Sequence, residues 1–292
     1  MHIDGVVHRH DRARRAELET GPITGDHAGP YRVRGAWLVD EQVDPALTAM
    51  LEAGLRPGCV DAAAQLGLWV PVIEGTHAYM PRRGSGILED LELVPTRYIH
   101  VPKGSVKHAL PVHLHTPLVR SWPDLHPVPP VTMMLEQVVR CLPVAEAAMV
   151  LESALHERKV DRTALDRVLA PLPREKRRQL SRVRSDAGSG TETKVRWWLE
   201  SRRVNLRSQV FITGVGYVDL LVGTNWVIEC DSRQYHDNDP QYYKDRQRDL
   251  RLRSKGYLVT RLTWEQVFLD WEMTSRQLLV ALHRREHRRR VA

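Results

Sequence analysis

Cysteine is scarce in this chain, and its spacing argues against two chemistries. Cys59, Cys141 and Cys230 are the only three in 292 residues. They lie far apart, without the short Cys-x-x-Cys pairing of a metal site. That pattern speaks against a disulfide framework and for a reducing, cytoplasmic setting. Long apolar runs are missing too: none reaches the roughly 18 residues that a membrane helix needs, so no membrane partner is expected. The stretch from Met1 to Arg15 is rich in His and Arg and lacks an apolar core, so it does not read as a secretory signal. Internal repeats and low-complexity tracts are absent as well, so a repeat architecture is not expected.

What is present divides unevenly by charge. A hydrophobic share of 42% and a charged share of 27% are ordinary for a globular protein. The length suits two domains, each with its own core. Residues 174–292 carry 25 Lys and Arg against 15 Asp and Glu, a balance of +10. Residues 1–173 carry 18 against 21, a balance of −3. A basic C-terminal part points to a polyanionic partner, nucleic acid and DNA first. A solvated basic face is the plain alternative.

Breakers and periodicity predict a mixed α/β chain in two parts, residues 1–185 and 186–292. In the first part, Tyr31 to Val39 reads as a short strand pair or wing. Asp44-Pro45 opens a helix that Gly54 stops, and a short helix covers Val60 to Leu66. The runs WVPVI, HAYMP, RYIHVP and VHLHTP between residues 69 and 117 read as short strands. Helices are expected over 132–142, 144–157 and 162–170. The segment Asp186 to Gly190 reads as a flexible linker, so residues 186–292 are expected to fold alone. That part reads as α-β-β-β-α-β-α: a helix over 191–203, strands over 208–212, 217–222 and 226–231, a helix over 240–255, a strand over 257–263, and a final helix from Trp264 to about His283.

The segment from Tyr217 to Asp231 carries the chemistry. Two apolar strands flank a turn centred on Thr224. Asp219 stands five residues before that centre and Glu229 five after, so the two carboxylates face each other on one side of the hairpin. Asp231, two residues on, shares that side. Opposed like charges in a half-buried hairpin need either a proton or a cation between them. A hard divalent ion, Mg²⁺ or Mn²⁺, prefers such oxygen donors. Pairing of either acid with a helix Arg is the structural alternative.

The pattern D-x9-E-x-D, followed by Gln234, His236 and a basic helix ending in G-Y-x-V-x-R-x-T-W, resembles nucleases related to the very-short-patch-repair endonuclease, within the PD-(D/E)XK superfamily. The resemblance spans about residues 189–268. It implies a restriction-endonuclease-like core in which Asp219 and Glu229 hold the metal and Glu192 is the acid of the first helix. It makes His236 the candidate for proton transfer or phosphate contact. The superfamily's usual lysine, two residues after the second acid, is Asp231 here, and Ser232 follows it instead of Gly. Glu192 also follows Ser189 at capping-box spacing. Lys244, Arg246, Arg248, Arg251, Arg253 and Lys255 line one helix and are candidates for phosphate contact, or for a solvated face. Trp197, Trp198 and Trp264 read as core. His113 and His115 share a strand face, but among 14 histidines a zinc reading on that pair is set aside. The run from Tyr31 through A-A-A-Q-L-G-L and H-L-H-T-P to P-P-V-T-M-M-L-E-Q-V-V-R-C-L loosely resembles AbiEi-type antitoxins, which implies a winged helix-turn-helix, here without a clean recognition helix. The expected activity is metal-dependent phosphodiester hydrolysis in defence, repair or a toxin–antitoxin pair. The rivals are a non-enzymatic DNA-binding regulator or antitoxin built on an inactive nuclease fold, and a toxin-like nuclease acting on RNA. A homodimer or a protein partner is left open.

Overall fold

The computed structural model describes residues 3–20, 32–80, 86–97, 99, 109–115, 125–231 and 239–288, with backbone alone for 17–20, 32–34, 86–90 and 239–245. In chain order the first elements are β1 (Val6–His8), α1 (Arg12–Thr20), β2 (Arg32–Arg34), β3 (Trp37–Val39), α2 (Pro45–Glu52), β4 (Arg56–Pro57) and α3 (Cys59–Gln65). Then come β5 (Thr76–Tyr79), β6 (Gly86–Leu93), β7 (Leu110–His115), α4 (Val131–Cys141), α5 (Val144–His156), α6 (Arg162–Leu169) and α7 (Arg174–Leu180). The last are α8 (Gly190–Ser201), β8 (Leu206–Ile212), β9 (Gly216–Val222), β10 (Trp226–Cys230), α9 (Asp239–Ser254), β11 (Leu258–Leu262), α10 (Trp264–Phe268) and α11 (Trp271–His283), with a closing 3-10 turn at Glu286–Arg288. The class is mixed α/β. No helix among the described residues is long and apolar enough to cross a membrane.

Two compact units share the chain. One is Met1–Leu142 with Arg162–Pro173; the other is Pro143–Asp161 with Arg174–Ala292. The boundary expected at residue 186 therefore falls inside the second unit.

In the first unit, the strand order β1-β3-β2 forms one sheet and β4-β5-β7-β6 another, with β5 and β7 parallel. The expected wing is the β2–β3 hairpin. Asp44 caps α2 by accepting the Ala46 N–H at 2.8 Å, with Pro45 at the first helical position where its missing N–H costs nothing. The run WVPVI is not a strand. Pro71 has no N–H for a ladder, and the Ile73 and Gly75 carbonyls are taken by the buried Arg97 guanidinium instead. The strand expected at RYIHVP lies mostly outside the described residues, and β6 is a strand that none of the four runs named. A second correction concerns cysteine. Cys59 and Cys141, read as unrelated from their spacing, are brought together with His77 and His115.

In the second unit, β8, β9 and β10 form an antiparallel meander and β11 joins β10 in parallel after α9. Alternation along the strands sends side chains to two cores. Leu220, Val222, Trp226, Ile228 and Cys230 pack with Val195, Leu199, Val267 and Leu278 from α8, α10 and α11. Leu221 and Val227 pack with Leu252 of α9. The element order matches the expectation except that the final helix breaks at Leu269–Asp270, whose N–H groups both turn back to the Glu265 carbonyl.

The β9–β10 turn is pinned from outside the hairpin. Gly223 has φ +60°, and a Cβ there would meet the His287 carbonyl oxygen at 2.1 Å, so only glycine fits. The Thr224 N–H donates to that carbonyl at 2.9 Å.

Helix α5 belongs to this unit through Glu152. Its fully buried carboxylate accepts from Thr193 Oγ1 at 2.8 Å, from Trp197 Nε1 at 3.1 Å and from the fully buried Arg196 guanidinium, all on α8.

Candidate functional site

The sheet of the second unit aligns four polar residues in one row. Trp226, Val227 and Ile228 pair with Val222, Leu221 and Leu220, so the hairpin is centred on Thr224 and Asp219 comes level with Glu229. The β8–β9 register on either side places Gln209 level with Asp219. On the other flank Glu229 pairs with Arg261 of β11. The row thus runs Gln209, Asp219, Glu229, Arg261 across β8, β9, β10 and β11.

At the acids the backbone ladder gives way to side-chain bonds. Asp219 Oδ2 accepts the Cys230 N–H at 2.8 Å, and Glu229 Oε2 accepts the Asp219 N–H at 3.3 Å. Gln209 sits at φ +49°, a left-handed conformation that a non-glycine residue adopts only at a cost of about 1–3 kcal/mol. Its amide donates both to Asp219 Oδ1 at 3.4 Å and to Glu192 Oε2 at 3.0 Å. Glu192, in the first turn of α8, is thereby brought to the row. It also keeps a capping role: its N–H goes to Ser189 Oγ at 3.1 Å, and its Oε2 takes the Gly188 N–H at 2.7 Å. The other carboxylate oxygen, Oε1, is buried with no hydrogen-bond partner among the described residues.

Burial and crowding push two of these carboxyls, Glu192 and Glu229, toward their protonated forms. Glu192 is pushed up to about 8, first by loss of water and then by the Asp219 charge, against the pull of the Gly188 N–H. Glu229 is pushed up to about 7, again by burial first and the Asp219 charge second, with Arg248 opposing. Both folded values exceed the ordinary 4.5. The stability they contribute is therefore fully present below about 4.5 and is lost as pH rises through about 7 and about 8. In a chelator, the melting temperature of the second unit is expected to fall by at least about 5 °C between pH 5 and pH 9. A flat or rising profile in a calorimetric pH series would exclude a proton-holding cluster.

The remaining expected residues are placed differently. Arg248, read among the phosphate contacts, lies over the row. Its Nη2 is 3.0 Å from Glu229 Oε1 and also bonds the Tyr217 carbonyl. Asp231 shares no described bond with Asp219 or Glu229; its carboxylate is 3.5 Å from Arg261 Nη1, and Arg261 binds Asp249 more closely at 3.0 Å. Arg246, Arg251 and Arg253 are exposed on α9, whose Leu252 is buried. His236 and Gln234 lie outside the described residues, as does the Lys244 side chain. Trp197 is buried, while Trp198 and Trp264 are half-buried. Sequence reasoning missed Gln209 and Arg261. The ten-residue spacing of 209, 219 and 229 was the available signal, since equal spacing across a tight meander puts residues in one row.

Comparison with protein-family models, with curated proteins and with solved structures returned no match. The reading of this site therefore rests on its geometry and on the resemblance of its motif.

Proposed function

We propose that the second unit is a divalent-metal-dependent nuclease that hydrolyses phosphodiester bonds, with DNA as the first substrate. The observation that carries this reading is the clustering of three carboxyls on the sheet: Gln209 donates to both Glu192 and Asp219, and the Asp219 N–H donates to Glu229. The donors are hard oxygens, two of the three acids are pushed toward protonation, and Glu192 Oε1 is buried without a described partner. That set fits Mg²⁺ or Mn²⁺ held by Asp219 and Glu229 with Glu192 beside them. Such an ion supplies the positive charge that activates water and stabilises charge growing on a phosphate.

The chain's own residues prepare this step. Gln209 fixes Asp219 and Glu192 with one amide. Arg248 holds Glu229 toward its ionised form and offers a guanidinium for a phosphate oxygen. Phe211 and Tyr217, paired across β8 and β9 two residues along the strands from Gln209 and Asp219, stack edge to face at 5.3 Å and are 60% and 63% exposed. Two solvent-facing aromatics one step along the strands from the acids suit a base-stacking platform. The exposed arginines of α9 and the +10 balance of residues 174–292 suit a phosphate backbone. His236 remains the candidate for proton transfer. The AbiEi-like resemblance of the first part and a role in defence, repair or a toxin–antitoxin pair are part of this proposal.

Nicking of supercoiled plasmid with Mg²⁺ or Mn²⁺, and none in chelator, is the expected result; a matched RNA arm identifies an RNase. A second reading has its own support. The Arg248–Glu229 pair and the capture of Asp231 by Arg261 are what an inactive fold retained for DNA binding would show. Calorimetry decides between them: a DNA-binding platform takes up no divalent ion at the row.

A further inference from the structure

Four side chains of the first unit converge outside the acid row. Cys59 opens α3, His77 lies on β5, His115 ends β7 and Cys141 ends α4. One ligand atom from each lies within 4.8 Å of all the others. His77 Nδ1 is 3.0 Å from His115 Nε2 and 3.7 Å from Cys141 Sγ. A tetrahedral zinc ion with bonds of about 2.3 Å to sulfur and about 2.0–2.1 Å to nitrogen sets N···N edges of about 3.3 Å and N···S edges of about 3.6 Å. We infer that Cys59, His77, His115 and Cys141 form a structural zinc site that ties α3, β5, β7 and α4 together.

The surroundings hold these ligands in place. Cys59 is at φ +46°, strained for a residue with a side chain. Its N–H is fixed by the buried Gln137 Oε1 at 2.8 Å, and the Gly58 N–H donates to the His77 carbonyl at 2.9 Å. The His77 N–H donates to Asp61 Oδ2 at 2.8 Å. Asp61 also accepts the Thr96 N–H at 2.8 Å and pairs with the buried Arg97 at 3.4 Å. Ligand-bearing backbone held by buried polar partners is how metal sites keep their geometry. Cys59 and His77 are buried and His115 half-buried, while Cys141 is exposed, which leaves an entry side. Two sulfurs and two imidazoles select Zn²⁺ over Mg²⁺, so this site is chemically separate from the carboxylates of the second unit.

The test uses the untagged full-length chain, purified in reductant without added metal. One zinc per chain is expected by elemental analysis, and a chelator should lower the melting temperature. Exchange with Co²⁺ should give thiolate-to-cobalt absorption together with the visible bands of tetrahedral cobalt. Cys141→Ser, at an exposed thiol, should reduce the thiolate band by about half, in line with loss of one of two sulfurs. His115→Ala should weaken the visible bands, and Asp219→Asn should change neither. The inference fails if the wild type holds no stoichiometric zinc and gives no thiolate band, or if Cys141→Ser leaves the band intact. It also fails if thiol counting on the denatured chain, after the reductant is removed without air, finds Cys59 and Cys141 joined as a disulfide. None of these outcomes depends on nuclease activity.

Discussion

Asp219→Asn and Glu229→Gln are each expected to lower plasmid nicking by about a thousandfold. The ion they are proposed to hold would supply several kcal/mol of charge stabilisation, and each ~1.4 kcal/mol is a factor of ten. Their effect on folding should differ in sign from that of ordinary buried charges. Glu229→Gln removes a carboxyl whose folded pKa is raised to about 7, so at pH 8.5 in chelator the variant should melt at or above the wild type. At pH 5.5, where the wild-type carboxyl is protonated, that difference should close. Burial is the main reason both glutamates are raised and the Asp219 charge adds to it, so Asp219→Asn should lessen the pH dependence of melting without removing it. Mg²⁺ or Mn²⁺ should raise the wild-type melting temperature by binding the folded state, and should not raise that of either variant. Amide variants that melt well below the wild type, with a wild-type melt that ignores divalent metal, would mean that the acids serve only the Arg248 pair and the strand ends.

The second large effect is expected far from the row. Glu152→Leu should destabilise the protein by about 3–5 kcal/mol, because the fully buried Arg196 loses its buried carboxylate partner and is left with Glu200, while Thr193 Oγ1 and Trp197 Nε1 lose their acceptor. That is a large fraction of the roughly 5–15 kcal/mol that holds a domain together. Arg196→Leu added to it should recover part of the loss, since the buried charge is gone while Thr193 Oγ1 and Trp197 Nε1 still lack their acceptor. Denaturant titration of the three proteins measures this. A single-variant loss under about 1 kcal/mol, within the range of an exposed ion pair, would show that the pair is solvated. The same physics revises the expectation for the fragment 186–292. It lacks Glu152, so Thr193 Oγ1 and the Trp197 indole N–H lose their acceptor and Arg196 loses one of its carboxylate partners; it should therefore not unfold cooperatively alone.

What could be read from the sequence was what is local. The turn centred on Thr224 and the period of two along a strand were enough to set Asp219 opposite Glu229. Gly and Pro punctuation located α2, α4, α5 and α9 to within a residue or two. The rest depends on contacts between distant segments. Nothing in one polar residue of a strand marks the left-handed backbone of Gln209. Among the basic residues of α9, no local feature marks Arg248 as one that turns to Glu229. Glu152 meets Arg196 across 44 residues, and Cys141 meets His77 across 64. Such pairings are decided by packing of separate elements, and spacing statistics within a motif do not reach them.

The division of the chain also sets an order of synthesis. The polypeptide leaves the first unit at Leu142, returns at Arg162 and leaves again after Pro173. On a ribosome adding ~5–20 residues per second, α5 therefore waits a few seconds before α8 exists to cover it. During that wait Ala147, Ala148, Met149, Val150 and Leu151, all buried in the finished protein, face solvent or a chaperone. The pin on the β9–β10 turn arrives later still, with His287. The sheet that carries the acids is thus completed only after nearly all of the described chain has been made, and a nascent chain would carry its acidic residues without their assembled row.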